Sequence, residues 1–211
     1  MACQSCEATF ATLDAQEANV DQSRALKLDQ AQPKCRCQMI SVSPHSPAPI
    51  ENLEVLVRIL VAPQHMGGKG LPKAAALSDA ERNGLSVFRR EETANEQIRK
   101  VAEGLVARAR ANTPESRRMK VGVFGVLMLT CGEVRAFKRD DEADPCYCVY
   151  DTALADIRGH AEVFQQIADI SDEIRLDRRQ KLFAIVKTHF IPVDKFQNGL
   201  LADLAPQPPS G

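Results

Sequence analysis

An alternation of apolar side chains in "ENLEVLVRILVA", residues 51–62, constrains the fold of this chain more than any other feature. The side chains that recur at every second position are Leu53, Val55, Val57, Ile59 and Val61. A period of two carried by β-branched residues indicates a β-strand with one fully apolar face. Because Leu56 and Leu60 make the second face largely apolar as well, we predict a central strand over 53–62, ended by Pro63.

Two further apolar runs extend this prediction to a sheet. "KVGVFGVLMLT" at 120–130 is rich in valine, and its 11 residues are fewer than the about 20 that a membrane helix needs. We therefore predict a buried strand there, a second at 85–90, and no membrane span. The other predicted elements are strands at 133–138 and 146–151 and helices at 77–84, 94–111, 153–168 and 172–189. This order predicts an α+β fold: one domain with an antiparallel or mixed five-stranded sheet covered by helices.

The two ends of the chain differ in composition from this central part. Residues 1–50 contain four cysteines and the run "SVSPHSPAP", where proline supplies no backbone donor and restricts the residue before it. We predict a loosely ordered, flexible N-terminal arm over 1–50, a compact domain over 51–192 and a disordered tail over 193–211.

Charge and cysteine usage narrow the functional class. The net charge of −1 argues against a nucleic-acid partner, since such proteins carry an excess of positive charge. The first residues have neither a basic lead nor a continuous apolar run, so we expect no secretory signal. Seven cysteines without such a signal are typical of a reducing compartment, and we expect a cytoplasmic protein.

The N-terminal cysteines form a candidate metal site. Cys3, Cys6, Cys35 and Cys37 together supply the four soft ligands that a tetrahedral zinc ion takes. A second grouping joins Cys35 and Cys37 to the cysteines at 146 and 148, or adds His160. The alternative is a set of reduced thiols that bind nothing, because one pair is C-x-C and the glycines usual in zinc knuckles are missing. Zinc is thus a candidate cofactor, and no other is indicated.

The loop after the first strand, within "RILVAPQHMGGKG", is the candidate site for a small molecule. Glycines allow backbone amides to approach a phosphate, Lys69 adds positive charge, and His65 is a candidate catalytic acid or base. Arg58, Ser86 and Arg89 would converge on this loop if the first two strands pair, and arginine binds phosphate through its forked donors. No nucleotide-binding motif is present, so the simpler interpretation is a flexible connector.

Charge is segregated along the chain. Residues 140–177 hold eleven acidic and two basic residues, whereas residues 86–120 hold nine basic and five acidic ones. Opposed patches suit a protein–protein or homo-oligomeric contact, although two solvated faces explain them equally well. The residues match no family closely enough to name one. Our first hypothesis is an accessory domain that binds another protein. The alternatives are a small enzyme or binder for a nucleotide-like or phosphorylated ligand, with ADP-ribose or phosphoryl chemistry at His65, and a zinc-stabilised adaptor.

Overall fold

The structure is a computed structural model that describes residues 4–15, 23–31 and 36–207. The strands are β1 (Val55–Ala62), β2 (Leu85–Arg89), β3 (Gly122–Thr130), β4 (Tyr147–Tyr150), β5 (His160–Gln165) and β6 (Phe190–Pro192). The α-helices are α1 (Gln4–Ala15), α2 (Arg24–Ala31), α3 (Asn95–Ala111), α4 (Cys131–Ala136) and α5 (Asp172–Val186). Short 3-10 helices include Gly68–Gly70, Ala74–Glu81 and Lys187–His189. None of the described helices combines the length and the apolar character needed to cross a bilayer.

All six strands form one antiparallel sheet in the order β4-β5-β2-β1-β3-β6. The two most apolar segments of the sequence, β1 and β3, pair along their whole length, from Val55 opposite Thr130 to Ala62 opposite Gly122. Nearly every residue of both strands is buried, as expected for a central position covered on both faces. The predicted α+β class is confirmed, with six strands rather than five.

Helices cover both faces of this sheet. On the first face α4, α5 and the 74–81 helix pack on Leu56, Leu127 and Val163. On the second face α3 and the segment after β6 pack on Val57, Ile59 and Val126. The strand register places Tyr150 of β4 and Phe164 of β5 on this second face too. Helices α1 and α2 cover both side chains.

Two predicted elements have the wrong secondary structure. Residues 160–165 form β5 instead of part of a helix over 153–168, because β2 and β4 pair with this segment on either side. Helices pack on both of its faces and bury it. A strand buried on two faces shows no alternation of polar and apolar residues, so its period is hidden. Residues 131–136 form α4 instead of a strand at 133–138, and the Gly132 amide donates to the carbonyl of Asn52 at 2.8 Å.

Described residues near both ends of the chain pack on the sheet. In the 1–50 arm, α1 and α2 bury Phe10, Leu13 and Leu28 against the β4–β5 end of the sheet. In the 193–211 tail, Phe196 and Leu201 are buried against α3 and β3. Both segments therefore contribute to the hydrophobic core, because each carries large apolar side chains at positions that meet an uncovered part of the sheet.

Candidate functional site

A cavity lies between α3 and the second face of the sheet, and we call it the α3 cavity. Its volume is about 470 Å³, within the roughly 300–1,000 Å³ range of small-molecule sites. The apolar lining residues are Ile59, Val61, Phe88, Val101, Leu105, Ala109, Leu154 and Ile157. The polar lining residues are Arg58, Gln64, His65, Asp79, Ser86, Arg108, Asn112 and His160. Apolar walls with a few polar groups are typical of a ligand-binding site.

The cavity arises where β1 and β2 separate. These strands pair only at Leu56 opposite Arg89 and at Val57 opposite Phe88. Beyond that point β1 continues along β3 and β2 continues along β5, which leaves a gap between them. The Arg58 side chain bridges this gap and donates to the backbone carbonyl of Ser86 at 3.1 Å. The gap thus opens the sheet beneath α3 and places a cation in it.

Arg58 is buried and has one acidic partner. It is 6 % exposed, and its guanidinium lies 2.6 Å from a carboxylate oxygen of Asp79, whose own side chain is 41 % exposed. Burial lowers the pKa of Arg58, and the Asp79 charge opposes that shift. Arg58 Nε is buried and has no hydrogen-bond partner among the described residues. A buried donor of this kind costs free energy unless a ligand or a water molecule accepts from it.

His65 is held as a neutral donor. Its Nδ1 accepts the backbone N–H of Val61 at 3.1 Å, which only an unprotonated Nδ1 does, so the ring proton is on Nε2. Burial, followed by the nearby Arg58 charge, lowers the pKa of His65 to about 4. Near neutral pH this imidazole therefore donates from Nε2 and carries no charge. The catalytic role expected for His65 from the sequence stays a prediction.

His160 lies at another wall of the α3 cavity. Its Nδ1 lies 3.2 Å from the backbone carbonyl of Thr152 and 3.0 Å from the hydroxyl of that threonine. The hydroxyl can donate or accept, whereas the carbonyl can only accept, so we assign the ring proton to Nδ1, which leaves Nε2 as an acceptor. Phe88 meets the imidazole edge-on, with the ring centroids 6.0 Å apart.

The structure places three of the five small-molecule site residues expected from the sequence in this cavity, namely Arg58, His65 and Ser86. Lys69 lies outside it, on an exposed turn with a φ of 59°. Arg89 lies outside it as well, because its guanidinium is buried against both carboxylate oxygens of Glu54 at 2.7 and 2.8 Å and donates to the Ala48 carbonyl. Arg89 thus anchors the chain before β1.

Sequence reasoning missed Asp79, Phe88 and His160. Asp79 reaches the cavity from the 74–81 helix, and no local pattern marks it as the partner of Arg58. His160 lies opposite Phe88 in the β2–β5 ladder, a pairing hidden by the helix predicted over that segment. The usable signal was the β-branched and aromatic content of residues 160–165, which favours a strand.

The proposed zinc ligands fall largely outside the described structure. Cys3 and Cys35 lie outside the described residues, as does the side chain of Cys37, whereas Cys6 is buried in α1. Cys146 and Cys148 pack in different apolar clusters, and the thiol of Cys146 donates to the carboxylate of Glu142 at 2.7 Å. The second zinc grouping also includes Cys35, which is outside the described residues, and it stays a prediction. Within the described ranges no three His, Cys, Asp or Glu side chains form a metal-binding group. The zinc site over the four N-terminal cysteines stays a prediction.

Ion pairs within the molecule offset much of the acidic block at 140–177. Two pairs are short and largely buried: Glu142 lies 2.6 Å from Arg178, and Glu162 lies 2.8 Å from Arg24. Asp177 contacts both Arg139 and Lys181 at 3.3 Å. The acidic block is consequently less available to a partner than the sequence indicated. The protein-interaction hypothesis stays a prediction.

Comparisons with protein-family models, curated proteins and solved structures give no match to this chain.

Proposed function

We propose that this protein binds a small phosphorylated metabolite in the α3 cavity. The observation that carries the proposal is that Arg58, His65 and Ser86 line one cavity of about 470 Å³. A buried cation, an oriented neutral donor and apolar walls are the features that fix the position of an anionic organic molecule.

The polar groups at the β1 end of the cavity suit an anion. The Nε2–H of His65 is one donor. Arg58 Nε is a second, buried donor that has no acceptor among the described residues. Asp79 already offsets one positive charge, so a ligand anion must share the Arg58 guanidinium with it. Arg108 is exposed, lines the cavity, and has no acidic partner among the described residues, so it supplies further positive charge. Phosphate accepts from several donors at once and is matched by such a group.

Binding fits these residues better than catalysis. A general acid or base works best when its pKa is near the operating pH, whereas the pKa of His65 is about 4. The nearby carboxylate of Asp79 is committed to Arg58. We therefore propose a binding function and assign His65 the role of a donor to the ligand.

Filling the cavity should abolish binding. Ala109 lines the α3 cavity, whereas Ala107 is exposed on the same helix, so Ala109→Trp and Ala107→Trp form a matched pair. We expect ribose 5-phosphate, glucose 6-phosphate or a nucleoside monophosphate to bind the wild type with a Kd below about 1 mM in calorimetry. The first substitution should weaken that binding at least about tenfold, and the second should leave it unchanged.

A second pair of substitutions at exposed positions tests the proposal even if Ala109→Trp does not fold. Arg108→Glu reverses the charge at the cavity mouth, and Arg117→Glu makes the same change at an exposed position that does not line the cavity. Only the former should weaken the binding of these phosphates. The proposal is wrong if no phosphorylated probe binds the wild type, or if both members of each pair behave alike.

A further inference from the structure

The α3 cavity is lined by residues from β1 to β5, and its two ends differ chemically. His160 lies opposite Phe88, which in turn lies opposite Val57, whereas His65 is bonded to Val61. Four residues along β1 correspond to about 13 Å, and the two strand spacings from β1 to β5 add about 10 Å across the sheet. The two histidines therefore mark ends that are roughly 15 Å apart.

The end near β1 presents donors, and the end near β5 presents an acceptor among apolar groups. His65 Nε2–H and the Arg58 guanidinium donate at the first end. At the second end, His160 Nε2 accepts, beside Phe88 and Ile157. The backbone contact of His65 and the Nδ1 proton assigned to His160 give the cavity this polarity before any ligand binds.

We propose that the ligand is a nucleoside phosphate, with its phosphate at Arg58 and His65 and its base against Phe88, where an N–H of the base donates to His160 Nε2. This inference rests on the proposed function and adds the identity of the organic part. A nucleobase is planar and apolar on its faces and carries N–H donors at its edge, which matches the β5 end. An acyl or phenyl group would fill the same space but would leave the His160 acceptor without a donor.

The test compares ligands on the wild-type protein by calorimetry. The probes are AMP, GMP, CMP, UMP, ribose 5-phosphate and phenyl phosphate. We expect at least one of the four nucleotides to bind about tenfold or more tightly than both ribose 5-phosphate and phenyl phosphate, since only nucleotides bring a planar donor-bearing base. If ribose 5-phosphate binds as tightly as every nucleotide, the proposed function stands and this inference fails. If phenyl phosphate equals the best nucleotide, the donor to His160 is ruled out. If no probe binds, both proposals fail.

Variants of His160 test whether its acceptor causes the preference for a nucleotide over ribose 5-phosphate. His160→Leu removes the acceptor, and His160→Gln retains one, while His189→Leu is the exposed histidine control. The leucine variant should reduce the preference for the best nucleotide over ribose 5-phosphate to within about threefold, the glutamine variant should retain part of it, and the control should retain all of it. An unchanged preference in His160→Leu overturns the assignment. Should that variant not fold, the ligand comparison on the wild type decides the inference by itself.

Discussion

His65 ties the loop after β1 to the end of that strand through a bond that only the uncharged ring makes. Its Nδ1 accepts from Val61, while its own backbone N–H donates to the carbonyl of Val61 at 3.0 Å. Protonation of Nδ1 would break the first of these bonds and place a charge beside Arg58 in a buried position. A single side chain thus couples the geometry of the cavity to its charge state.

This coupling predicts a pH dependence of stability. The pKa of His65 is about 4 in the folded state and near 6.5 when unfolded, so the unfolded chain binds the additional proton between these values. Above pH 6.5 the neutral His65 makes its full contribution to the free energy of unfolding. As the pH falls from 6.5 towards 4, the free energy of unfolding decreases by on the order of 3 kcal/mol.

Urea unfolding of the wild type and His65→Gln at pH 7.5, 6 and 5 measures this effect. Glutamine accepts the Val61 N–H without titrating, so we expect the stability difference between the two proteins to shrink or reverse as the pH falls. A difference that is the same at all three pH values would contradict the neutral state assigned to His65.

Residue type alone identified part of the site. Arg58 and Arg89 are both arginines on neighbouring strands, and the sequence grouped them together. They differ because Arg89 meets Glu54 and the Ala48 carbonyl, which are brought to it by the chain before β1, whereas Arg58 faces the gap between β1 and β2. Such long-range partners are set by tertiary structure and leave no local pattern.

At the scale of elements, alternation and valine content were sufficient for β1, β2 and β3, because each of these segments combines apolar residues with turn signals. They were insufficient for β5, whose sequence includes Glu162 and Gln165 at buried positions. The carboxylate of Glu162 is stabilised there by Arg24 of α2, so a polar residue occupies a place where an apolar one was expected. The missed strand also hid His160 from the predicted site.

The segment after β6 packs so closely on β3 that there is no room for a methyl group at Gly122. A Cβ at Gly122 in β3 would collide with the backbone of residues 204–206, whereas one at Gly104 in α3 meets nothing within 4 Å. We expect Gly122→Ala to destabilise the fold by about 2 kcal/mol and Gly104→Ala to stabilise it by up to about 1 kcal/mol. Chemical denaturation measures both. Equal stability of Gly122→Ala and wild type would mean that residues 204–206 do not pack on β3.

At the scale of the whole molecule, the described parts of the terminal segments complete the core. Helix α1 buries Phe10 against Tyr150 and Phe164, with ring centroids 5.2 and 6.0 Å apart. The sequence predicted an arm and a tail because both contain proline-rich runs, "SVSPHSPAP" and "APQPPSG", while the apolar residues that anchor them are widely spaced. The predicted domain bounds stay a prediction, and because α1 and α2 pack on the sheet, binding experiments need the complete chain.

The most direct test of the ligand site is long-range proton–nitrogen NMR of the four histidine rings in the complete protein. We predict that His65 carries its proton on Nε2 and His160 on Nδ1, and that an equimolar mixture of AMP, GMP, CMP and UMP shifts the signals of both rings. His45 and His189 lie outside the α3 cavity, and their signals should stay in place. If the signals of His65 and His160 do not move, or if all four rings respond equally, the α3 cavity is not the ligand site.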